Sequence, residues 1–122
     1  MQASHKKKCL DVLHLMKGSK YRDKVFYFLT PVRETLDPEE WITYTSIIEQ
    51  PRDLATIEDT LKNDGYGSLS AFCKDVDLCF ENAKKYNKTR YKQVADAAIA
   101  MHKVRPFTLA SCKLKISDTL LY

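Results

Sequence analysis

The stretch that decides the fold is Phe80-Glu81-Asn82-Ala83-Lys84-Lys85-Tyr86-Asn87, because a polar residue ends an apolar stripe there. The apolar residues upstream recur at steps of three and four, the period of one buried helix face: Phe72, Val76, Cys79, Phe80 and Ala83. Four residues further along that face comes Asn87. An unpaired amide in a dry core would cost about 1 to 3 kcal/mol. Asn87 therefore either caps the helix or faces a cavity that a ligand enters.

The surrounding motifs resemble those of the bromodomain family, whose members read acetylated lysine. The resemblance starts from Asn-Ala-x-x-Tyr-Asn at residues 82–87 and runs from about Leu10 to Met101. The residues that carry it, in order, are Pro31-Val32, Tyr44, Ile47-Ile48, Pro51, Asp53-Leu54, Thr56-Ile57, Leu61, Tyr66, Phe72, Asp75-Val76 and Phe80. It implies a non-catalytic reader without a cofactor. The implied location is the nucleus, and the implied partner is an acetylated histone tail or another acetylated protein within a chromatin-associated complex.

Composition points to an ordinary globular chain. With 122 residues, 44% of them hydrophobic and 30% charged, we expect one domain over residues 1–122, with a core at about 4–106 and an extension at 107–122. No uncharged apolar run approaches the roughly 18 residues of a membrane span, and no long apolar block follows Lys6-Lys7-Lys8 as it would in a signal peptide. We therefore expect an intracellular protein. Its four cysteines lack metal spacing and are interpreted as small reduced hydrophobes: Cys9, Cys73, Cys79 and Cys112.

The net charge of +4 is unevenly distributed. Residues 1–32 hold seven basic and two acidic side chains, and residues 88–122 hold the same numbers. Residues 33–64 hold three basic and nine acidic side chains. An acidic segment of this kind favours a basic partner, although most charge runs are simply solvated faces.

The apolar spacing predicts four helices. Their expected limits are Ser4 to Lys17, Asp53 to about Asp64-Gly65, Ser68 or Ser70 to about Tyr86, and Tyr91 to about Arg105, where Pro106 stops the last one. Between Pro31 and Pro51 no clear period survives, so we expect a long apolar loop there. In the tail Leu114 and Ile116 alternate with lysines too briefly to predict a strand. The predicted fold is all-α, an antiparallel four-helix bundle with a long loop between its first two helices. The resemblance implies that the bundle is left-handed.

The resemblance also implies roles for individual residues around a mouth between the long loop and the connection after Asn87. Asn87 donates a side-chain hydrogen to the acetyl oxygen, and Tyr44 holds an ordered water on the same oxygen. Val32 forms a wall of the pocket for the acetyl methyl group, and Phe28 lies at the position of the family's shelf phenylalanine. Val94 is the gatekeeper residue, at the start of the last helix. Tyr91 and Gln93 are the alternatives for that place because the connection after Asn87 is longer than usual. Further candidates are Tyr86, Leu36 and Trp41. Trp41 lies in a loop that is longer than usual, and either anchors that loop to the core or forms a second wall.

These residue types suit the acetyl group. Acetyllysine is neutral and offers one acceptor and one donor on an apolar stem, so it needs an apolar slot with a placed donor. Unmodified lysine would bring a charge out of water, at a cost of several kcal/mol.

Other functions have less support in the sequence. An enzyme is disfavoured because His5, His14 and His102 lack a Ser or Cys partner at a recognisable spacing, and His14 is expected at the surface. Asp75 and Asp77 are expected to be exposed, with pairing inside the bundle as the alternative for Asp75. A helical nucleic-acid-binding domain is the main alternative because both ends of the chain are basic. A bundle that has lost the pocket and serves as a scaffold stays open as well.

Overall fold

A computed structural model of the chain describes residues 1–104, and within that range it contains helices and no strands. The α-helices are α1 Ala3–Met16, α2 Arg22–Val25, α3 Val32–Thr35, α4 Pro38–Ile47, α5 Leu54–Lys62, α6 Leu69–Asn87 and α7 at residues 92–104. Short 3-10 turns occupy Ser19–Tyr21 and Phe26–Phe28. The expectations for Arg105, Pro106, Cys112 and the tail at 107–122 lie outside the described residues.

All four predicted helices are present, as α1, α5, α6 and α7. α1 packs on α5 and α6, and α5 packs on α6. α7 adds Ala97, Ala98 and Met101 to the same core. The stripe predicted on α6 is buried throughout, with Phe72, Val76 and Phe80 fully enclosed. The bundle core therefore reaches the end of α6, where the polar residues begin.

Side-chain caps fix where three helices begin. Asp53 accepts a hydrogen bond from the Thr56 backbone at 2.8 Å, and Ser68 accepts one from the Ala71 backbone at 3.2 Å. Ser68 is therefore the cap of α6, which leaves Ser70 inside the helix. Asp37 accepts from the Glu40 backbone at 2.8 Å and so starts α4.

The segment expected to be a long loop is in large part helical, which corrects the prediction. It contains α3 and the ten-residue α4. A second apolar cluster holds this segment to the end of α6: Tyr44, Ile48 and Tyr86 are its buried members, and Val32, Leu36, Trp41 and Ile47 pack around them. The loop is thus a structured lobe of the bundle.

Hydrogen bonds also hold this segment, and the residues that follow it, against α6. The buried Asn82 donates through Nδ2 to the Gln50 carbonyl at 2.7 Å. Arg52 donates through Nε to Asp75 Oδ1 at 2.9 Å, and the Tyr66 hydroxyl donates to Asp75 Oδ2 at 2.7 Å. Asp75 therefore pairs within the bundle, as the alternative interpretation proposed.

His14 and Asp77 were expected at the surface, and His102 was expected to lack a Ser or Cys partner. His14 is exposed, as predicted. Asp77, expected to be exposed, is half-buried, and its Oδ1 lies 3.2 Å from His102 Nε2. The His102 ring therefore ties α7 to α6 through an aspartate.

Candidate functional site

A cavity of about 260 Å³ opens between the helical loop segment and the junction of α6 with α7. Its lining residues come from both sides of that opening and from the end of the bundle core: Phe26, Tyr27, Phe28, Thr30, Val32, Thr35, Leu36, Tyr44, Arg52, Asp53, Cys79, Ala83, Tyr86, Asn87, Tyr91 and Val94. Seven of the eight candidate site residues predicted from the sequence line this cavity, and the exception is Trp41.

Asn87 is the last residue of α6 and faces the cavity with 8% of its surface exposed. Its Nδ2 donates to the Ala83 carbonyl at 2.9 Å, one turn earlier in the helix. This bond uses one of the two hydrogens on the amide nitrogen, so the other remains available to a ligand. The contact also fixes the orientation of the amide before a ligand arrives.

Tyr44 lies on α4 and brings a hydroxyl to the same cavity. Burial raises the pKa of Tyr44 to about 12, so the hydroxyl is protonated at neutral pH. In the described part of the chain, no side-chain oxygen or nitrogen is fully buried without a hydrogen-bond partner. A protonated hydroxyl on a cavity-lining residue can donate to or accept from water or a ligand.

Apolar side chains form much of the remaining wall. Val32 and Leu36 come from the loop segment, and Val94 comes from α7. Phe28 is buried and packs edge-on against Phe80, with ring centroids 5.3 Å apart. Each of these positions matches a cavity wall expected from the sequence, and their roles toward a ligand stay predictions.

Tyr86 links the two sides of the opening. Its ring meets Tyr44 edge to face at 4.8 Å between centroids, and its hydroxyl donates to Glu40 Oε1 at 3.0 Å. Burial, followed by the Glu40 carboxylate, raises the pKa of Tyr86. The Arg90 guanidinium lies 4.7 Å from the Tyr86 ring centroid. Tyr86 therefore connects α4 to the α6–α7 connection.

Trp41 does not line the cavity, which replaces the expectation of a second wall. Its ring stacks on the Tyr44 ring, with centroids 5.7 Å apart and an interplanar angle of 15°. Arg33 covers it at 5.9 Å. The contact supports the other interpretation, in which Trp41 anchors the loop segment and holds Tyr44 from behind.

The gatekeeper position has two occupants in the structure. Val94 and Tyr91 both line the cavity, whereas Gln93 is not among the lining residues. Tyr91 is 48% exposed and Val94 is half-buried, so the tyrosine is the outer and the valine the inner of the two. The sequence alone could not fix this register because the connection after Asn87 is longer than usual, which moves the start of the last helix relative to the cavity.

Several cavity residues were missed by the sequence reasoning. Cys79 and Ala83 lie on the same helix face as Asn87, eight and four residues earlier, so the stripe itself held the signal that identifies them. Burial raises the pKa of the Cys79 thiol, which is a free cysteine and stays protonated at neutral pH. Arg52 and Asp53 also reach the cavity. Nothing in their local sequence pattern indicated that placement.

The arrangement is suited to binding a neutral polar group on an apolar stem. It offers an oriented amide hydrogen and a hydroxyl, set among aromatic and aliphatic walls. Within residues 1–104 no three His, Cys, Asp or Glu side chains are grouped so as to hold a metal ion.

The fold and cavity together define an all-helical recognition module, and comparison with known proteins identifies its family. The family model described as Bromodomain matches residues 10–99. The chain therefore belongs to the bromodomain family. A solved structure, the second bromodomain of Candida albicans Bdf1 bound to an imidazopyridine, superposes with a TM-score of 0.76 at 27% identity. The match covers 88% of this chain and 99% of that one, which confirms the predicted fold class, a left-handed antiparallel four-helix bundle.

Curated relatives agree with this assignment. The chain is 36% identical over 86 residues to mouse tyrosine-protein kinase BAZ1B, covering 70% of this chain and 5% of that protein. It is 43% identical over 58 residues to the nucleosome-remodeling factor subunit NURF301-like of Caenorhabditis elegans, covering 48% and 3%. It is 42% identical over 60 residues to histone acetyltransferase GCN5 of Debaryomyces hansenii, covering 49% and 12%. The chain thus spans a small part of each relative.

The family sets the general class of function. Bromodomains are generally non-catalytic reader modules that bind acetylated proteins, and the relatives of this chain are chromatin-associated. Among the helices of the described residues, none has the length and apolar character needed to cross a membrane.

Proposed function

We propose that this chain binds acetylated lysine in a histone tail or another acetylated protein, within a chromatin-associated complex in the nucleus. The observation that carries the proposal is the amide of Asn87, oriented by the Ala83 carbonyl and facing an otherwise largely apolar cavity. In the proposed complex the acetyl oxygen accepts the second amide hydrogen of Asn87. A water on the Tyr44 hydroxyl donates to the same oxygen.

The remaining cavity residues supply shape. The acetyl methyl contacts Val32, and the apolar lysine stem lies between Leu36, Phe28 and the gatekeeper Val94. Tyr86 keeps the loop segment in place through Glu40. An unmodified lysine would have to bury its ammonium group opposite amide hydrogens, which costs several kcal/mol. The acetylated form is therefore selected.

Two alternatives predict different behaviour. A nucleic-acid binder needs its basic segments free, but Lys6 pairs with Asp64 at 2.9 Å and Lys17 pairs with Glu58 at 3.0 Å. Titration of naked duplex DNA tests this alternative directly. A scaffold that has lost the pocket would bind no acetylated peptide, so a blank acetyl-peptide array on the purified domain would favour it.

The decisive experiment is Asn87→Ala, studied by acetyl-peptide titration and thermal unfolding on the same protein. The change removes the side-chain donor to the acetyl group, which costs about 1 to 3 kcal/mol or about one to two orders of magnitude in affinity. Starting from the micromolar to millimolar affinity expected of a short peptide, binding should become unmeasurable. An unacetylated peptide is the ligand control.

Asn63→Ala is the matched protein control. Asn63 is the C-cap residue of α5 and directly follows Lys62. Its Nδ2 donates to the Asp59 carbonyl at 2.9 Å, four residues earlier, as the Asn87 Nδ2 does to the Ala83 carbonyl. Asn63 is exposed and lies away from the cavity lining. It should lose the same bond and keep full peptide binding. If Asn87→Ala keeps peptide binding and lowers the melting temperature, Asn87 acts only as a cap and the proposal fails.

A further inference from the structure

The mouth of the cavity has an acidic side formed by α3 and α4. Four carboxylates occur there within seven residues, and we name Glu34, Asp37, Glu39 and Glu40 the acidic lip. Three of them are next in sequence to a cavity-lining residue of that segment or contact a lining residue. Glu34 precedes Thr35, Asp37 follows Leu36, and Glu40 accepts the hydrogen bond from Tyr86. Arg33 is the single cation among residues 33–40, so the four carboxylates leave this segment with a net negative charge.

The opposite side of the mouth is basic. Two cations lie in the connection between α6 and α7 and a third is the first residue of α7, and we name Lys88, Arg90 and Lys92 the basic lip. All three are exposed, and no acidic residue occurs between Glu81 and Asp96. They alternate with the cavity wall, since Lys88 follows Asn87 and Arg90 and Lys92 flank Tyr91. The Tyr91 backbone N–H donates to the Asn87 carbonyl at 3.1 Å, which holds this short connection against the end of α6.

The boundary between the two lips runs across Tyr86. Its hydroxyl donates to Glu40 on one side, and its ring carries the Arg90 guanidinium at 4.7 Å on the other. Arg90 also donates to the Tyr86 carbonyl at 3.1 Å, so its position is fixed by two contacts. Tyr91 experiences the acidic lip as well, because Glu40 and then Asp37 raise the pKa of its hydroxyl. The negative charges of the acidic lip and the positive charges of the basic lip therefore meet at the cavity opening.

We infer that this site selects acetyllysine flanked on one side by basic residues and on the other by an acidic or phosphorylated residue. The inference rests on the proposed function. A uniformly basic peptide would satisfy the acidic lip and be repelled by the basic lip, whereas a mixed peptide satisfies both. Phosphoserine suits the basic lip best, because its three oxygens can accept charge-assisted hydrogen bonds from arginine and lysine.

The test uses three acetyl-peptides of equal length, each with a central acetyllysine. One has two arginines before it and phosphoserine after it, the second has the reverse order, and the third has arginines on both sides. One of the two mixed peptides should bind this chain more tightly than the all-arginine peptide. The preference should weaken as salt rises, since exposed charges are screened.

The protein variant that tests the basic lip is Lys88→Glu with Lys92→Glu. An exposed ion pair is worth a factor of about 1.5 to 5 in affinity, so this double reversal should weaken the preferred mixed peptide by about fivefold or more. It should also strengthen the all-arginine peptide, which inverts the order of the two. Neither residue is one of the proposed ligand contacts, so binding of the acetyl group itself is retained.

The matched control is Lys7→Glu with Lys74→Glu, which changes the net charge equally. Lys74 is exposed on α6, thirteen residues before Asn87 and hence about 20 Å along the helix. This variant should keep the wild-type order of the three peptides. An order that is the same in the wild type and in the basic-lip variant overturns the inference, even when all three acetylated peptides bind.

Failure of the proposed function would look different, because no acetylated peptide would then bind better than its unacetylated counterpart. A naked duplex DNA titration completes the set. If the double reversal abolishes duplex binding and leaves the peptide order unchanged, the basic lip contacts nucleic acid and the inference is wrong.

Discussion

Replacing Asn82 with alanine should weaken both the fold and the binding site. Asn82 is buried on α6 with 7% of its surface exposed, and its Nδ2 donates to the Gln50 carbonyl at 2.7 Å. The bond joins residues 32 positions apart and ties the helical loop segment to the bundle. Asn82→Ala removes the donor and leaves the carbonyl without that partner.

The magnitude follows from where the carbonyl lies. A buried acceptor left unpaired costs about 1 to 3 kcal/mol. Because Gln50 is an exposed residue, water can replace part of the lost bond, and we expect a loss of about 1 to 2 kcal/mol in the free energy of unfolding. For a domain of this size that lowers the melting temperature by about 4 to 12 °C.

The effect should reach the cavity as well. The backbone next to Gln50 carries Arg52 and Asp53, which line the cavity, and Ile48, which packs on Tyr44 and Tyr86. A looser segment should weaken acetyl-peptide affinity without removing any ligand contact. Calorimetric titration and thermal unfolding on one preparation measure both effects.

Gln50→Ala is the control, because it removes the exposed side chain and keeps the backbone carbonyl that Asn82 contacts. Its stability should stay within about 0.5 kcal/mol of the wild type. If Asn82→Ala has the melting temperature and the peptide affinity of the wild type, the contact with Gln50 is dispensable. The explanation that this contact holds the helical loop segment to the bundle would then be refuted.

Three further predictions concern charge and pH. Affinity for a basic acetyl-peptide should fall as salt rises from low to physiological levels, because salt screens the charges of the acidic segment at residues 33–64 over about 8 to 10 Å. An affinity independent of salt would show that the segment is remote from the site. The pKa of Tyr44 is raised from 10.0 to about 12, so the stability that the protonated hydroxyl contributes is complete below pH 10 and is lost as pH rises from 10 to about 12. In urea titrations across that range, Tyr44→Phe should lose less stability than the wild type. Hydrogen bonding to Lys17 lowers the pKa of Glu58 below 4.5, so stability present above that pH should fall as the pH drops below it, and Glu58→Gln should flatten this acid limb in the same assay.

The periodic part of the fold was accessible from the sequence. The stripe from Phe72 to Ala83 predicted a buried helix face, and all its members are buried. Asp53 was predicted as a cap and is one. These features depend on residues within a few positions of each other, where spacing determines geometry.

The helix α4 was missed because its signals conflict. Asp37 followed by Pro38 and Glu40 is a strong start signal, and the inward residues Trp41, Tyr44 and Ile48 do follow helical spacing. Between them lies Ile42, which is 68% exposed and obscures the stripe. Giving the capping signal more weight than the apolar count would have found this helix.

Contacts between distant segments were out of reach. The pairing of Asn82 with Gln50, and of Tyr86 with Glu40, depends on how the loop segment folds back over α6. Trp41 shows the same limit, because its position behind Tyr44 follows from the packing of two aromatic rings and not from its place in the chain.

The six residues from Asn82 to Asn87 couple the construction of the site to its proposed chemistry. Asn82 and Tyr86 are four residues apart, so they share a face of α6, and both hold the loop segment, through Gln50 and Glu40. Ala83 and Asn87 are also four apart on the neighbouring face, which lines the cavity, and the carbonyl of one orients the amide of the other. One rigid stretch of helix carries both pairs. The position of the loop segment relative to the Asn87 amide therefore depends on the contacts of Asn82 and Tyr86. A substitution at Asn82 or Tyr86 should therefore change ligand affinity through the position of the far wall, whereas a substitution at Asn87 removes the donor itself.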